Sequence, residues 1–170
     1  MAGGYGEDAV YSAVTPLADG AVAAVTFGAI QQIDVVHFTE GAWEPITRFS
    51  MSGGNVDATN FGVVGPGNCA ALCIEMSTLT GAPDFLVPIP GADQIQLAVV
   101  EVEQDATAAR LVPFDRAGEL QSAVPFATVT GDVVSSQEND CIPNCADGTL
   151  TTTPWVYDPT AQMFGPDLGD

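Results

Sequence analysis

Ile95-Gln96-Leu97-Ala98-Val99-Val100-Glu101-Val102 is the stretch from which the fold is read. Ile95, Leu97 and Val99 alternate with period two, as one face of a β-strand does. Val100 and Val102 then carry the apolar pattern on, out of phase. A phase slip inside a strand means either a β-bulge or a strand buried on both faces, and both readings put the strand in the middle of the fold. The same slip occurs in Ile33-Asp34-Val35-Val36-His37-Phe38, where Ile33 and Val35 share one face and Val36 and Phe38 the other.

Outward from these two segments, short β-type runs recur at 10–14, 21–27, 43–48, 61–64, 85–89, 110–114, 124–130, 133–136 and 149–157. Turn-forming clusters separate them, such as Ala18-Asp19-Gly20, Glu40-Gly41, Pro90-Gly91-Ala92-Asp93 and Ala146-Asp147-Gly148. Twelve prolines and 18 glycines are spread along the chain and leave little room for helices. The best helical stretch is 69–79, with Asn68 as its cap. The pattern predicts an all-β fold of antiparallel meanders. A weak internal repeat divides the single domain, 1–170, into units at about 11–50, 74–115 and 124–164. Units of this kind suggest stacked meanders like propeller blades. Two or three blades cannot close a ring, so the expected arrangement is open and propeller-like, or a sandwich.

The chain has 170 residues, 46% of them hydrophobic, enough for one domain with a sizeable core. No apolar run approaches the ~20 residues that a membrane helix needs. The net charge is −19: 22 carboxylates face three cations, Arg48, Arg110 and Arg116, and there is no lysine. At least 19 carboxylates (22 less 3) therefore have no basic partner and are left to water, cations or backbone N–H groups. Such a chain lacks the Lys and Arg needed to hold nucleic-acid phosphates or an anionic membrane surface. Its charge suits a salty or calcium-containing medium.

Four cysteines form two C-x-x-x-C pairs, Cys69/Cys73 and Cys141/Cys145. Zinc prefers other spacings or histidine partners, and the one histidine, His37, is remote in sequence. An even count in a chain rich in glycine, proline and threonine favours disulfides and an oxidising compartment, extracellular or in the cell envelope. Of the three possible connectivities the one made of the two local pairings is favoured, because Gly and Pro around each pair permit a tight turn. Four buried thiols in a reducing compartment are the competing reading. The segment MAGGYGEDAV has neither the charged nor the apolar region of a signal peptide, so an exported protein starting here has already lost its signal segment.

Leu79-Thr80-Gly81-Ala82-Pro83-Asp84-Phe85-Leu86-Val87 resembles a degenerate form of the D-x-[TD]-G-D-G-x-x-D calcium loop of FG-GAP-type repeats, and Leu17-Ala18-Asp19-Gly20-Ala21-Val22 is a weaker version. The region around Cys141 and Cys145, with Thr151-Thr152-Thr153-Pro154-Trp155-Val156-Tyr157, is similar to the C-terminal end of small exported actinobacterial proteins of unassigned function. The resemblance implies an extracytoplasmic β-rich module and supplies no activity. Calcium takes six to eight oxygens. Only Asp84, with Thr80, remains in the first loop and only Asp19 in the second, so neither cages the ion alone. Asp140 and Asp147 form a slightly better acidic pair.

Signals for catalysis are sparse. Nucleophilic triads would have to use His37, which reads as a sheet-face histidine. Lysine chemistry is excluded by composition, and no phosphate-cradling glycine motif is present. Glu101 and Glu103, two apart on one strand face, are the candidate carboxylate pair for glycan hydrolysis, against the plainer reading of a solvated face. Trp43, Trp155, Tyr157 and Phe164 would make a sugar-stacking platform unless the core claims them. The reading that results is an exported, non-enzymatic binding or structural module, with an unidentified protein or glycan as partner and no cofactor. The alternatives are a small carboxylate-pair hydrolase and a calcium-dependent structural element.

Overall fold

In a computed structural model the described residues are 9–17, 20–27, 32–50, 74–90, 95–116, 119–121, 123–125, 127–142, 144 and 146–169. The strand expected at 61–64, together with Asp19, Cys69, Cys73 and Cys145, lies outside them. The described residues contain fifteen strands and no helix, and the fold is all-β. β1 (Ala9–Leu17), β2 (Gly20–Phe27), β3 (Gln32–Thr39) and β4 (Ala42–Ser50) form one antiparallel meander. β5 (Glu75–Ser77), β6 (Asp84–Pro90), β7 (Ile95–Val102) and β8 (Ala109–Val112) form a second. β12 (Thr128–Thr130), β13 (Val133–Asn139), β14 (Leu150–Asp158) and β15 (Met163–Pro166) form a third.

Three short strands sew the second and third sheets together. β9 (Phe114–Arg116) and β10 (Glu119–Gln121) extend the third sheet, and β11 (Val124–Pro125) returns to pair with β7. The continuous strand expected over 110–114 is thus broken at Pro113, between a strand of one sheet and a strand of the next. Proline has no N–H to continue a ladder. Its carbonyl instead accepts the Phe164 N–H at 2.9 Å, and Phe114 opposes Phe164 in a parallel pairing. The run 124–130 divides in the same way, into β11 and β12. The helix expected over 69–79 is corrected over its described part: Glu75–Ser77 is an edge strand on β6. Three residues paired to a buried strand outweigh a weak local preference, as tertiary packing commonly does.

The second sheet is the middle layer. Phe85 and Val87 of β6, Ala98, Val100 and Val102 of β7, and Ala109 and Leu111 of β8 pack with Val22, Ile33 and Val35 of the first sheet. The intervening residues Leu86, Leu97, Val99 and Val112 pack with Phe114, Val134, Trp155 and Phe164 of the third. Alternate residues therefore enter two different cores. The β6–β7 register runs without interruption from Asp84↔Glu101 to Pro90↔Ile95, so the slip in β7 is two-sided burial and not a bulge. In the first sheet both causes operate. Val35 pairs with Thr47 and Val36 with Pro45, which leaves Ile46 as the extra residue of a bulge, while Asp34 and Val36 are buried on the face opposite Ile33 and Val35.

The third sheet's core is aromatic. Phe114 stacks on Phe164 (centroids 4.8 Å apart, 15° between planes), and Trp155 meets Phe114 edge-on at 5.7 Å. The Trp155 indole N–H donates to the buried Ser136 hydroxyl at 2.8 Å, which satisfies both groups.

Adjacent residues of β7 serve two cores, and this has a measurable consequence. Val99→Thr and Val100→Thr each place a hydroxyl in a fully buried apolar site, so each should lower the free energy of unfolding by about 1–3 kcal/mol in denaturant titration. A one-sided strand would tolerate one of the two, and tolerance of either contradicts the middle-layer assignment.

Candidate functional site

A group of mutually bonded polar side chains sits at the edge of the seam between the second and third sheets. Alternation sends Asp84, Glu101 and Arg110 to the same side as Leu86, Val99 and Val112, and β14 brings Tyr157 from the opposing sheet. Arg110 is the hub. Its Nε and Nη2 donate to the two Glu101 carboxylate oxygens at 3.2 and 2.9 Å. Nη2 also donates to the Tyr157 hydroxyl at 2.9 Å, and Nη1 to the Gln162 carbonyl at 3.0 Å. One guanidinium thereby ties β7 and β8 to β14 and to the turn before β15. A two-pronged guanidinium–carboxylate contact fixes orientation as well as charge. Partial burial works against the Arg110 charge, but Glu101 and Tyr157 outweigh it and hold the guanidinium's pKa above its ordinary value.

Asp84 lies directly across from Glu101 on β6 and is only 2% exposed. Its oxygens accept the Thr80 N–H at 2.9 Å and the Thr80 hydroxyl at 2.6 Å. Gly81 donates to the Thr78 carbonyl at 3.0 Å and holds φ at +84°, which closes the turn before β6. In the segment that resembles a calcium loop, the carboxylate thus serves its own turn. Burial pushes the Asp84 carboxyl above its ordinary value of 3.8; the Thr80 hydrogen bonds oppose the shift, and the neighbouring Glu101 charge adds to it.

The other sequence candidates are dispersed. Glu103 follows the end of β7 and accepts the Thr107 hydroxyl at 3.3 Å, so it forms no dyad with Glu101, which is engaged by Arg110. His37 is half-buried on the Ile33/Val35 face, opposite Val22 and Glu44. Asp34 is paired across the sheet with Arg48 through two hydrogen bonds of 2.7 and 2.8 Å. Trp155 and Phe164 are core residues, Tyr157 packs against Phe164, and Trp43 is in another sheet against Phe38. The four rings do not assemble into a platform. A shallow groove of about 470 Å³ lies along the β14–β15 hairpin, bordered by Val156, Asp158, Gly165 and Asp167.

The loop between β13 and β14 is internally bonded. Asp140 Oδ1 accepts the N–H groups of Ile142 and Thr149 at 3.0 and 2.8 Å, which holds its pKa below the ordinary carboxylate value. Asn144 Oδ1 accepts from Ala146 at 2.9 Å, and its amide nitrogen donates to Asp147 at 2.8 Å. Cys141 is disulfide-bonded. Among the described residues no three His, Cys, Asp or Glu side chains gather as a metal-binding group.

Sequence reading missed the Arg110–Tyr157 link, whose members are 47 positions apart. The usable signal was scarcity: with three cations in the chain, each arginine was the place to look for a tie. No family model, curated protein or solved structure matches the chain.

Asp84 carries a pH signature. Its raised pKa means that the folded state holds this proton more tightly than the unfolded chain, so the group's contribution to stability declines as pH rises from 3.8 through the folded value and is level above it. The stability of the wild type relative to Asp84→Asn should fall over that window when both are melted across a pH series; a difference independent of pH contradicts the assignment.

Proposed function

We propose that the chain is an extracytoplasmic, non-enzymatic interaction module of the extracellular space or cell envelope, a β-scaffold that presents surfaces to a partner and performs no covalent chemistry. The observation that carries this reading is how its polar interior is used. Each arginine is committed to a carboxylate: Arg48 to Asp34, Arg110 to Glu101 and Arg116 to Glu138. Asp84 is committed to Thr80, and Ser136 to Trp155. Among the described residues, no buried side-chain nitrogen or oxygen lacks a partner. Catalytic groups are commonly aimed into a cleft with hydrogen-bonding capacity in reserve. Here that capacity is spent in joining strands and sheets.

The disulfide at Cys141 and the shortage of cations support an oxidising, salt-containing setting. We place the remaining cysteines in local pairs, Cys69 with Cys73 and Cys141 with Cys145. The FG-GAP-like turn at Thr80–Asp84 fits the same reading as a structural turn, with calcium unnecessary to it.

Two assays test this proposal together. Thiol titration of unfolded, unreduced protein should find no free cysteine, and a glycan-hydrolysis screen should find no turnover above a blank. Four titratable thiols would overturn the compartment. Hydrolysis abolished by Glu101→Gln would replace the module with a carboxylate enzyme.

A further inference from the structure

The β13–β14 hairpin is longer than the sheet that contains it. β12 pairs with β13 only over Val133–Ser135, and β15 pairs with β14 only over Trp155–Asp158. Beyond those limits, Ser136–Asn139 and Leu150–Thr153 pair with each other and with no further strand among the described residues. From Gln137 and Thr152 outward, most residues on both faces of this two-stranded ribbon are exposed. A two-stranded ribbon is marginally stable in water by itself. This one is held by the Cys141 disulfide and by the side-chain bonds of Asn139, Asp140 and Asn144 to the loop backbone. Gly148 seats the loop closely, since a Cβ there would lie 2.0 Å from the Asn139 side-chain oxygen.

So much local bonding holds an arm that contributes little to either core, and the arm carries apolar side chains into water. Ile142 is 72% exposed and Leu150 is 64% exposed. Asp140 and Asp147 flank them, Glu138 being paired with Arg116, and no Lys or Arg occurs after Arg116 in the whole chain. An apolar tip rimmed by carboxylates fits an apolar socket edged by Lys or Arg. A pre-ordered loop loses less entropy on docking than a flexible one.

Resting on the module reading above, we infer that the β13–β14 arm is the module's docking element and that it inserts Ile142 and Leu150 into an apolar socket with a basic rim on a partner protein. A second copy of the chain does not fit, because its three arginines are already paired with its own carboxylates. A glycan does not fit, because sugar faces stack on aromatic rings and residues 137–152 contain none.

Peptides selected from a random display library on the native, disulfide-intact protein test the inference. The selected peptides should combine an aliphatic or aromatic anchor with neighbouring Lys or Arg and bind less well as salt is raised. Their affinity should fall about tenfold or more on Ile142→Ser and on Leu150→Thr. It should be unchanged on Met76→Ser, where an exposed apolar side chain lies on the edge strand β5 of the second sheet. Peptides that bind the arm variants like wild type would overturn the docking element and leave an interaction module that binds elsewhere. Failure to select any peptide over a blank surface would overturn both. Selected peptides without cationic residues would overturn the basic rim.

Discussion

The middle sheet has no face to offer water, and most of the architecture follows from that constraint. β7 alternates Ala98, Val100 and Val102 toward one layer with Leu97 and Val99 toward the other. A strand apolar on both faces is stable only when both are covered. Each cover must itself present an apolar face to the middle sheet, which β1–β4 and β12–β15 supply. The crossings at Pro113 and between β11 and β12 occur where the chain passes from the covered sheet to its cover.

Burying both faces makes ion pairs at the seams expensive unless they are well formed, since desolvation acts on every charge carried inward. The chain has three cations and spends each as a tie. Arg48 bonds Asp34 across adjacent strands, Arg110 joins the second sheet to the third, and Arg116 joins β9 to β13. The middle link is the one in which sequence, packing and electrostatics meet. Glu101 is the charged member of β7, 17% exposed at the side chain, and it has Arg110 on one neighbouring strand and Asp84 on the other. Arg110 pairs with Glu101, while Asp84 is held by Thr80 and has its pKa raised by burial.

Much of this was legible in the residues. The phase slip in β7 marked a central strand, by bulge or by two-sided burial, and the unbroken register with β6 decides for burial; period two located most strands to within a few residues. Prolines within 110–114 and 124–130 were visible, but their consequence was not: Pro113 reads locally as an interruption and becomes a sheet crossing only because Phe164 is there to accept the chain. β15 went unread because four residues ending in Gly-Pro carry little pattern, although Phe164 lies at the centre of the aromatic stack. The stretch 69–79 read as helix because the edge strand at Glu75–Ser77 takes its structure from β6 and not from its own sequence. The arm was hidden for a related reason. Thr151-Thr152-Thr153 has strand propensity wherever it lies, and propensity does not say where the neighbouring strands stop.

Residue-resolved native-state hydrogen exchange tests the three-layer account most directly. Amides of β7 from Leu97 to Val100 should exchange only through global unfolding, and those of Gln137–Asn139 and Leu150–Thr152 should exchange orders of magnitude faster. Protection in β7 no greater than in the outer strands β12 and β15 would mean that the middle sheet is not enclosed, and would contradict the account.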